Sequence, residues 1–239
     1  MKMNKSNCEK AEMLVEVLPY VNRFRDKIIV IKYGGNAMIN EDLKKAVMQD
    51  LLLMKSVGMH PILVHGGGPA INDMLKKLKV ESHFEQGLRV TDKETMEIVE
   101  MVLAGKVNKD IVGTLNQIGG KGIGLSGKDG NLIQARKKYL EKNGEKIDIG
   151  YVGEVEAVNK EMLESLIYSG YIPVISSIGM GKDGMSYNIN ADYVAGAVAK
   201  AVQANKFILL TDVEGIFRDY HDKDSLISRI TLADIEALE

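Results

Sequence analysis

Hydrophobic residues in this chain follow two alternating patterns. Short continuous apolar runs, typical of strands buried on both faces of a sheet, occur at Ile28–Ile31, Pro61–Val64, Lys121–Leu125, Ile172–Ile175 and Lys206–Leu210. Between them, apolar residues recur at helical spacing in the segments Glu9–Phe24, Asn40–Ser56, Ala70–Leu78, Lys93–Val107, Asp110–Ile118, Lys160–Ser169 and Tyr193–Gln203. This alternation predicts an α/β domain with a mostly parallel sheet covered by helices on both faces.

Several segments depart from that alternation. The polar segments Leu132–Lys142 and Gly150–Val158 flank Asn143-Gly144 and predict a hairpin. The glycine-rich stretch Gly179–Met185 is interpreted as a flexible loop, and Ile230–Leu238 as the start of a last helix. In the first helix, Pro19 is expected to end or kink the segment, because proline removes a helical hydrogen bond.

Composition narrows the class of protein. Of 239 residues, 45% are hydrophobic and 27% are charged, which is typical of a soluble globular protein. The formal net charge of -2 gives no indication of a nucleic-acid partner, and the single cysteine excludes an internal disulfide framework. No apolar run is long enough for a membrane span, and the polar N-terminus does not resemble a signal peptide, so a cytoplasmic location is expected.

The first apolar run ends in a possible anion site. Lys32 and Tyr33 are followed by Gly34 and Gly35, whose backbone an anion can approach closely. Amide dipoles beside one ammonium would suit a phosphate or a carboxylate, and open α/β sheets bind ligands at the carboxyl ends of their strands. The same residues are equally compatible with a buried strand ending in an ordinary turn, with Lys32 directed to solvent.

A second glycine-rich turn follows the second apolar run. His65 precedes Gly66, Gly67 and Gly68, and Pro69 then suits the first turn of a helix. This order of strand, glycines and helix N-terminus favours phosphate binding through free N–H groups. A purely structural turn is the alternative, although three glycines exceed what a turn requires. His65 itself could equally be a structural strand-end residue or a catalytic one.

Other polar residues stand beside predicted helix caps. Arg89 precedes the cap at Thr91-Asp92 and could clamp a carboxylate, although a solvated arginine is the simpler interpretation. Asn188, Asn190 and Asp192 alternate before another helix and could share one side of the chain or serve as N-caps. The sequence lacks a P-loop, a nucleophile elbow and metal-ligand spacings, so phosphoryl transfer by positioning and charge neutralisation is the favoured chemistry.

A series of motifs then identifies a known family. The segments KYGGNAM, VHGGGPAIN, GLRVTD, GLSGKDG, YNINAD and LTDVEGI occur in this order and resemble the acetylglutamate kinases of the amino acid kinase family, from about Lys27 to Leu238. The resemblance implies a three-layer αβα sandwich and transfer of the ATP γ-phosphate to the side-chain carboxylate of N-acetyl-L-glutamate, the second step of arginine biosynthesis. It implies Mg²⁺ on the ATP phosphates and no separate metal site.

The resemblance also assigns roles and boundaries. Lys32 would stabilise the transferring phosphoryl group and Asp192 would orient the lysine. Substrate and phosphate would be bound by Gly34, Gly35, Gly67, Gly68, Arg89, Asn188 and Asn190, with Arg89 on the α-carboxylate. The nucleotide would be bound by Asp212, Val213, Glu214, Gly215, Ile216 and Phe217. Residues 1–26 would form an N-terminal helical extension and 27–239 the kinase domain, with its substrate side at about 27–185 and its nucleotide side at about 186–239.

One family motif does not occur. The family's glycine-rich G-G-M-x-P-K segment supplies a second lysine, so the kinase domain is expected to be C-terminally incomplete and the chain to be part of a longer product. Glu9–Phe24 resembles the N-terminal extension of arginine-inhibited members, which implies a homo-oligomer, a dimer or a hexamer, with arginine as a feedback inhibitor. A catalytically impaired ligand sensor, and a carbamate, aspartate, glutamate 5- or uridylate kinase, are the alternatives.

Overall fold

The computed structural model describes residues 7–142, 144–219, 221–231 and 233–234. Its α-helices are α1 (Asn7–Phe24), α2 (Glu41–Ser56), α3 (Gly68–Leu78), α4 (Lys93–Glu100), α5 (Asn108–Gln117), α6 (Lys160–Tyr168) and α7 (Ala191–Ala201). Its strands are β1 (Ile28–Tyr33), β2 (His60–His65), β3 (Phe84–Glu85), β4 (Leu88–Arg89), β5 (Gly122–Leu125), β6 (Ile133–Lys142), β7 (Glu145–Val158), β8 (Ile172–Ser176), β9 (Ile178–Gly181), β10 (Ser186–Asn188), β11 (Lys206–Leu209), β12 (Ile216–Phe217) and β13 (Leu226–Ile227). The five predicted apolar strands and the helices between them are confirmed in their predicted order.

The central sheet has the strand order β11-β1-β2-β8-β5, and every pair within it is parallel. Each of its strands is one of the predicted apolar runs. Because parallel strands share one direction, their carboxyl ends meet along a single edge of the sheet. The glycine turns after β1 and β2 therefore lie side by side.

Two apolar layers sandwich this sheet, as the predicted αβα architecture requires. Alternate residues of β1 face opposite layers, so Ile29 and Ile31 pack with residues of α2 to α5, whereas Ile28 and Val30 pack with residues of α6 and α7. The four side chains of Ile28–Ile31 are all at most 8% exposed. The interpretation of this run as a strand buried on both faces is confirmed.

The predicted polar hairpin is present and belongs to a second, smaller sheet. Strands β6 and β7 pair antiparallel, and with β9 and β10 they close on themselves in the order β10-β7-β6-β9. The prediction of a flexible loop at Gly179–Met185 is wrong, because its first part is strand β9. A methyl group placed on Gly179 would lie 2.7 Å from Ala135 Cβ. Glycine is needed there for close packing.

The helices differ from prediction in two places. Helix α1 continues through Pro19 to Phe24, so Pro19 does not end it. Between α4 and α5 the chain stays helical but forms a π-helical segment, Met101–Val107. The predicted helix Ile230–Leu238 falls mostly outside the described residues. Within the described range, no helix has the length and apolar character needed to cross a lipid bilayer.

Candidate functional site

A cavity of about 380 Å³ opens at the carboxyl edge of the central sheet, above β1 and β2. This volume is within the usual range for small-molecule sites. Every residue assigned to catalysis or to substrate binding lines it: Lys32, Gly34, Gly35, Gly67, Gly68, Arg89, Asn188, Asn190 and Asp192. The structure thus brings together residues that are up to about 160 positions apart in sequence, because parallel strands bring their carboxyl ends to one edge of the sheet.

Lys32 is the cation at the end of β1. Its Nζ lies 3.1 Å from Oδ1 of Asp192, and the two side chains are 16% and 53% exposed. Asp192 stands in the first turn of α7, next to the end of β1. Because the lysine is mostly shielded and paired, its ammonium is held at the cavity wall and is not directed to bulk solvent.

The turn after β1 is held by a buried tyrosine. The Tyr33 hydroxyl donates to the carbonyl oxygen of Ala37 at 2.7 Å, within the short 3₁₀ turn Gly35–Met38. Burial, with a smaller contribution from Glu41, raises the pKa of Tyr33 to about 12, so the hydroxyl remains a donor at neutral pH. Gly35 has φ of 64°, which favours glycine at this position.

The turn after β2 presents backbone N–H groups to the cavity. Helix α3 begins at Gly68 with Pro69 in its first turn, as predicted. Within the described part of the chain, the N–H groups of Gly67 and Gly68 donate to no acceptor. They lie at a helix N-terminus, where the dipole favours an anion.

Arg89 also lines the cavity and is only 7% exposed. Its guanidinium donates through Nη2 to Oδ1 of Asn72 at 2.6 Å and through Nη1 to the Ser82 hydroxyl, and it lies 4.7 Å above the Phe84 ring. No carboxylate among the described residues pairs with it. Burial holds the pKa of Arg89 below its usual range, and the group stays a cation at neutral pH. It is therefore ready to bind a ligand's carboxylate through its remaining donors.

Asn188 and Asn190 were predicted either to share one side of the chain or to serve as N-caps, and both line the cavity while Asn190 is also an N-cap. Asn190 is the N-cap of α7, and its Oδ1 accepts from the Asp192 N–H at 2.8 Å while the residue also lines the cavity. Asn188 donates through Nδ2 to Oγ1 of Thr91 at 3.3 Å, and Thr91 donates to the Arg89 carbonyl at 2.8 Å. Asn188 and Arg89 are thus connected through one threonine.

The residues assigned to the nucleotide do not line this cavity, and Asp212 is the one among them that the structure places against it. Asp212, Val213, Glu214 and Gly215 follow β11, and Ile216 and Phe217 form β12, which pairs with β13. The Asp212 carboxylate packs against Gly35, since a methyl group placed on Gly35 would lie 2.5 Å from its Oδ2. The carboxyl end of β11 therefore adjoins the end of β1, where Lys32 lies.

Sequence reasoning missed several residues of this site. Asn72, Ser82 and Phe84 contact the Arg89 guanidinium, and Ser177 lines the cavity just after β8. Ser177 could have been found, because it follows an apolar run as Lys32 does. The three partners of Arg89 carried no signal, because their contact depends on how the β3–β4 hairpin sits against α3.

The arrangement is chemically specific. The ammonium of Lys32 and the amide N–H groups of the glycine turns suit a phosphoryl group or a carboxylate. The buried guanidinium of Arg89, which lines the same cavity, suits a further carboxylate.

Comparisons with known proteins show which family the chain resembles. The profile of the amino acid kinase family matches residues 27–239. The chain is 58% identical over 227 residues to the acetylglutamate kinase of Caldicellulosiruptor bescii, covering 95% of this chain and 77% of that protein. It is 57% identical over 240 residues to the acetylglutamate kinase of Moorella thermoacetica, covering 99% and 81%. The crystal structure of smu.665 from Streptococcus mutans superposes with a TM-score of 0.69 at 36% identity, covering 80% of this chain and 75% of that one.

Proposed function

The chain belongs to the amino acid kinase family, and we propose that it phosphorylates the side-chain carboxylate of N-acetyl-L-glutamate with ATP. The product is N-acetyl-L-glutamyl 5-phosphate, and the reaction belongs to arginine biosynthesis. Relatives named acetylglutamate kinase, at 57–58% identity over nearly the whole chain, support the substrate. The observation that carries the proposal is that Lys32, the glycine turns and the buried guanidinium of Arg89 line one cavity.

The reaction requires charge stabilisation and needs no general base. The side-chain carboxylate of the substrate is ionised at neutral pH and is itself the nucleophile. The barrier comes from bringing this anion to the γ-phosphoryl group. Lys32 and the N–H groups of Gly34, Gly35, Gly67 and Gly68 lower it, because preorganised donors act strongly where water is excluded.

Other residues hold the substrate in register. Arg89 binds the α-carboxylate through the donors that Asn72 and Ser82 leave free. Asn188 and Asn190, which also line the cavity, bind the acetamido side. Asp192 keeps the Lys32 ammonium at the reacting end through the 3.1 Å ion pair.

ATP, which kinases of this family use, approaches from the side of β11. Asp212, Val213, Glu214, Gly215, Ile216 and Phe217 line its site in this proposal. In the described residues no cluster of three or more metal-ligating side chains occurs. In this proposal Mg²⁺ is held mainly by phosphate oxygens and water, as is common for nucleotide sites. The ion would neutralise phosphate charge.

We further propose a cytoplasmic homo-oligomer built through α1. Leu14, Val15 and Leu18 on this helix are 71%, 65% and 51% exposed, an apolar surface suited to packing against another copy. Sedimentation velocity of the chain and of a variant without residues 1–24 tests this, with and without arginine. A monomer in every condition would refute it, and an arginine-dependent change in assembly or turnover would support feedback inhibition.

The experiment for the activity traps the acyl phosphate. The chain is incubated with N-acetyl-L-glutamate, ATP, Mg²⁺ and hydroxylamine, and hydroxamate is measured against Lys32→Ala. Lys45→Ala, on the exposed surface of α2, is the matched control because it removes a lysine away from the cavity. Turnover is expected in the control but not in Lys32→Ala. N-acetyl-L-glutamate should be preferred as substrate over L-aspartate, L-glutamate and carbamate. Binding without turnover would indicate a ligand sensor instead.

A further inference from the structure

The peptide group between Gly66 and Gly67 is fixed on its carbonyl side. The Gly66 N–H donates to the Tyr33 carbonyl at 3.1 Å, and the Gly66 carbonyl oxygen lies 2.8 Å from Nδ1 of His65. In a trans peptide the carbonyl and the following N–H point in opposite directions. A bond that holds the Gly66 carbonyl toward His65 therefore directs the Gly67 N–H away from His65.

The contacts of Asn108 define the tautomer of His65. Nδ2 of Asn108 lies 2.9 Å from the Val174 carbonyl oxygen and 3.0 Å from Nε2 of His65. A carbonyl only accepts, so the atom facing it is the amide NH₂ group. Nε2 must then accept, and the proton of the neutral ring is on Nδ1, which donates to Gly66. Lys109 Nζ, 3.2 Å from Oδ1 of Asn108, agrees with this orientation of the amide.

Both side chains are completely buried, so this network has no access to water. Burial lowers the pKa of His65 to about 4, and the ring is therefore neutral at pH 7. The position of its single proton, rather than its charge, decides whether the Gly66 carbonyl is held. His65 does not line the cavity and cannot touch the substrate.

The π-helical segment explains how Asn108 reaches this position. Its wider turns change the register between α4 and α5, and α5 begins at Asn108 with the side chain beneath the sheet edge. The same segment packs on the glycine turn, since a methyl group on Gly67 would lie 2.5 Å from Cδ2 of Leu103 and 3.4 Å from Val107. Gly67 is thus confined on its Cα side as well.

We propose that His65 and Asn108 are positioning residues that direct the Gly67 N–H at the anion bound in the cavity. This inference rests on the proposed kinase function, in which that anion is the phosphoryl group or the reacting carboxylate. Gly67 lines the cavity with Lys32, and its N–H donates to no acceptor within the described residues. Preorganised donors of this kind contribute to the rate only while their direction is fixed.

Two substitutions separate positioning from stability. In His65→Asn, the amide nitrogen takes the place of Nδ1 and can still donate to the Gly66 carbonyl, while the contact with Asn108 is lost. In His65→Gln, the longer amide takes the place of Nε2 and keeps Asn108, while the bond to Gly66 is lost. Each variant loses one buried hydrogen bond, so the two are matched in their cost to folding.

Steady-state kinetics of the matched variants give the first result. We expect kcat/KM of His65→Gln to fall about tenfold or more. Deleting one oxyanion-type donor lowers the rate by ~10²–10³, and a donor that is still present but misdirected should lose part of that effect. His65→Asn should stay within roughly threefold of wild type at the same folded fraction. Equal losses in both variants would overturn the inference and assign His65 a purely structural role.

Nitrogen-15 NMR of histidine-labelled wild-type chain gives the second result, independently of activity. The Nδ1–H tautomer of His65 is expected, assigned by loss of its signals in His65→Asn. An Nε2–H tautomer would overturn the inference even in an active enzyme. If the wild-type chain shows no turnover, the proposed function fails, and the tautomer alone then decides whether the peptide is held as inferred.

Discussion

Arg89 should be required for substrate binding but nearly neutral for folding. Arg89 is 7% exposed, and among the described residues its guanidinium is bound by the neutral groups of Asn72 and Ser82 and by the Phe84 ring. A buried charge without an opposite charge opposes folding. Arg89→Met should therefore abolish binding of N-acetyl-L-glutamate while leaving the free energy of unfolding close to that of wild type.

The size of the expected change in the free energy of unfolding follows from these contacts. Arg89→Met loses two hydrogen bonds to a charged group, about 1.5–3 kcal/mol each. It also removes the desolvation penalty of the cation, which is several kcal/mol. Asn72 is exposed and can bond to water after the change. The free energy of unfolding should therefore change by no more than about 2 kcal/mol, the difference between these opposing contributions.

Arg89→Lys isolates the shape of the group from its charge. The ammonium keeps the positive charge but cannot form the planar bidentate contact. Losing one charge-assisted hydrogen bond of about 1.5–3 kcal/mol corresponds to roughly a tenfold to hundredfold rise in KM for N-acetyl-L-glutamate. Because the α-carboxylate is remote from the reacting atoms, kcat should change much less than KM.

Urea unfolding with and without N-acetyl-L-glutamate measures both effects. A ligand at 100 times its Kd stabilises the folded state by about 2.7 kcal/mol, so wild type should gain this protection and Arg89→Met should gain none. The hydroxamate assay supplies KM for Arg89→Lys. Equal ligand protection of Arg89→Met and wild type, or an unchanged KM in Arg89→Lys, would refute the role of Arg89.

Three further predictions follow from other parts of the site. Lys32→Met should lower kcat by about 10²–10³ with a smaller change in ligand affinity measured by calorimetry; similar losses in both would argue against a role at the reacting end. Gly67→Ala should destabilise by about 1–3 kcal/mol through its clash with Leu103, and urea unfolding of the double variant with Leu103→Ala should show coupling rather than additivity. The pKa of His65 is about 4 in the folded state against 6.5 in the unfolded state, so the contribution of the neutral ring to the free energy of unfolding is complete above pH 6.5 and falls by about 3 kcal/mol as the pH drops to about 4. His65→Asn should lack this pH-dependent loss in urea unfolding. The same pH dependence in the variant and in wild type would contradict a buried neutral ring.

Much of the site could be predicted because its residues follow apolar runs. Lys32 comes at the end of the first run and the Gly67 turn directly after the second, and parallel strands bring such ends to one edge. Capping rules placed Asn190 and Asp192 at the start of α7, beside the same edge. Local sequence therefore indicated the edge of the sheet where the cavity lies, whereas the inclusion of Arg89 and Asn188 came from the family resemblance.

Other features depend on packing that local sequence does not encode. Gly179 was interpreted as part of a flexible loop, although its lack of a side chain serves close contact with Ala135 in a strand. Asn108 reaches His65 only because a π-helical segment changes the helix register, and periodicity gives no sign of that change. The assignments to Asp212–Phe217, and the boundary between substrate and nucleotide sides, remain predictions.

The order of strands in the central sheet has a consequence for how the protein acquires its fold. Strand β1, which bears Lys32, lies between β2 and β11, and β11 comes from the far end of the described chain. Such non-local pairing requires a large loop to close before the contact stabilises anything, which slows folding. During synthesis on the ribosome, β1 is made well before β11 and can pair with it only after β11 has emerged. The lysine strand therefore gains its full set of neighbours long after it has been made.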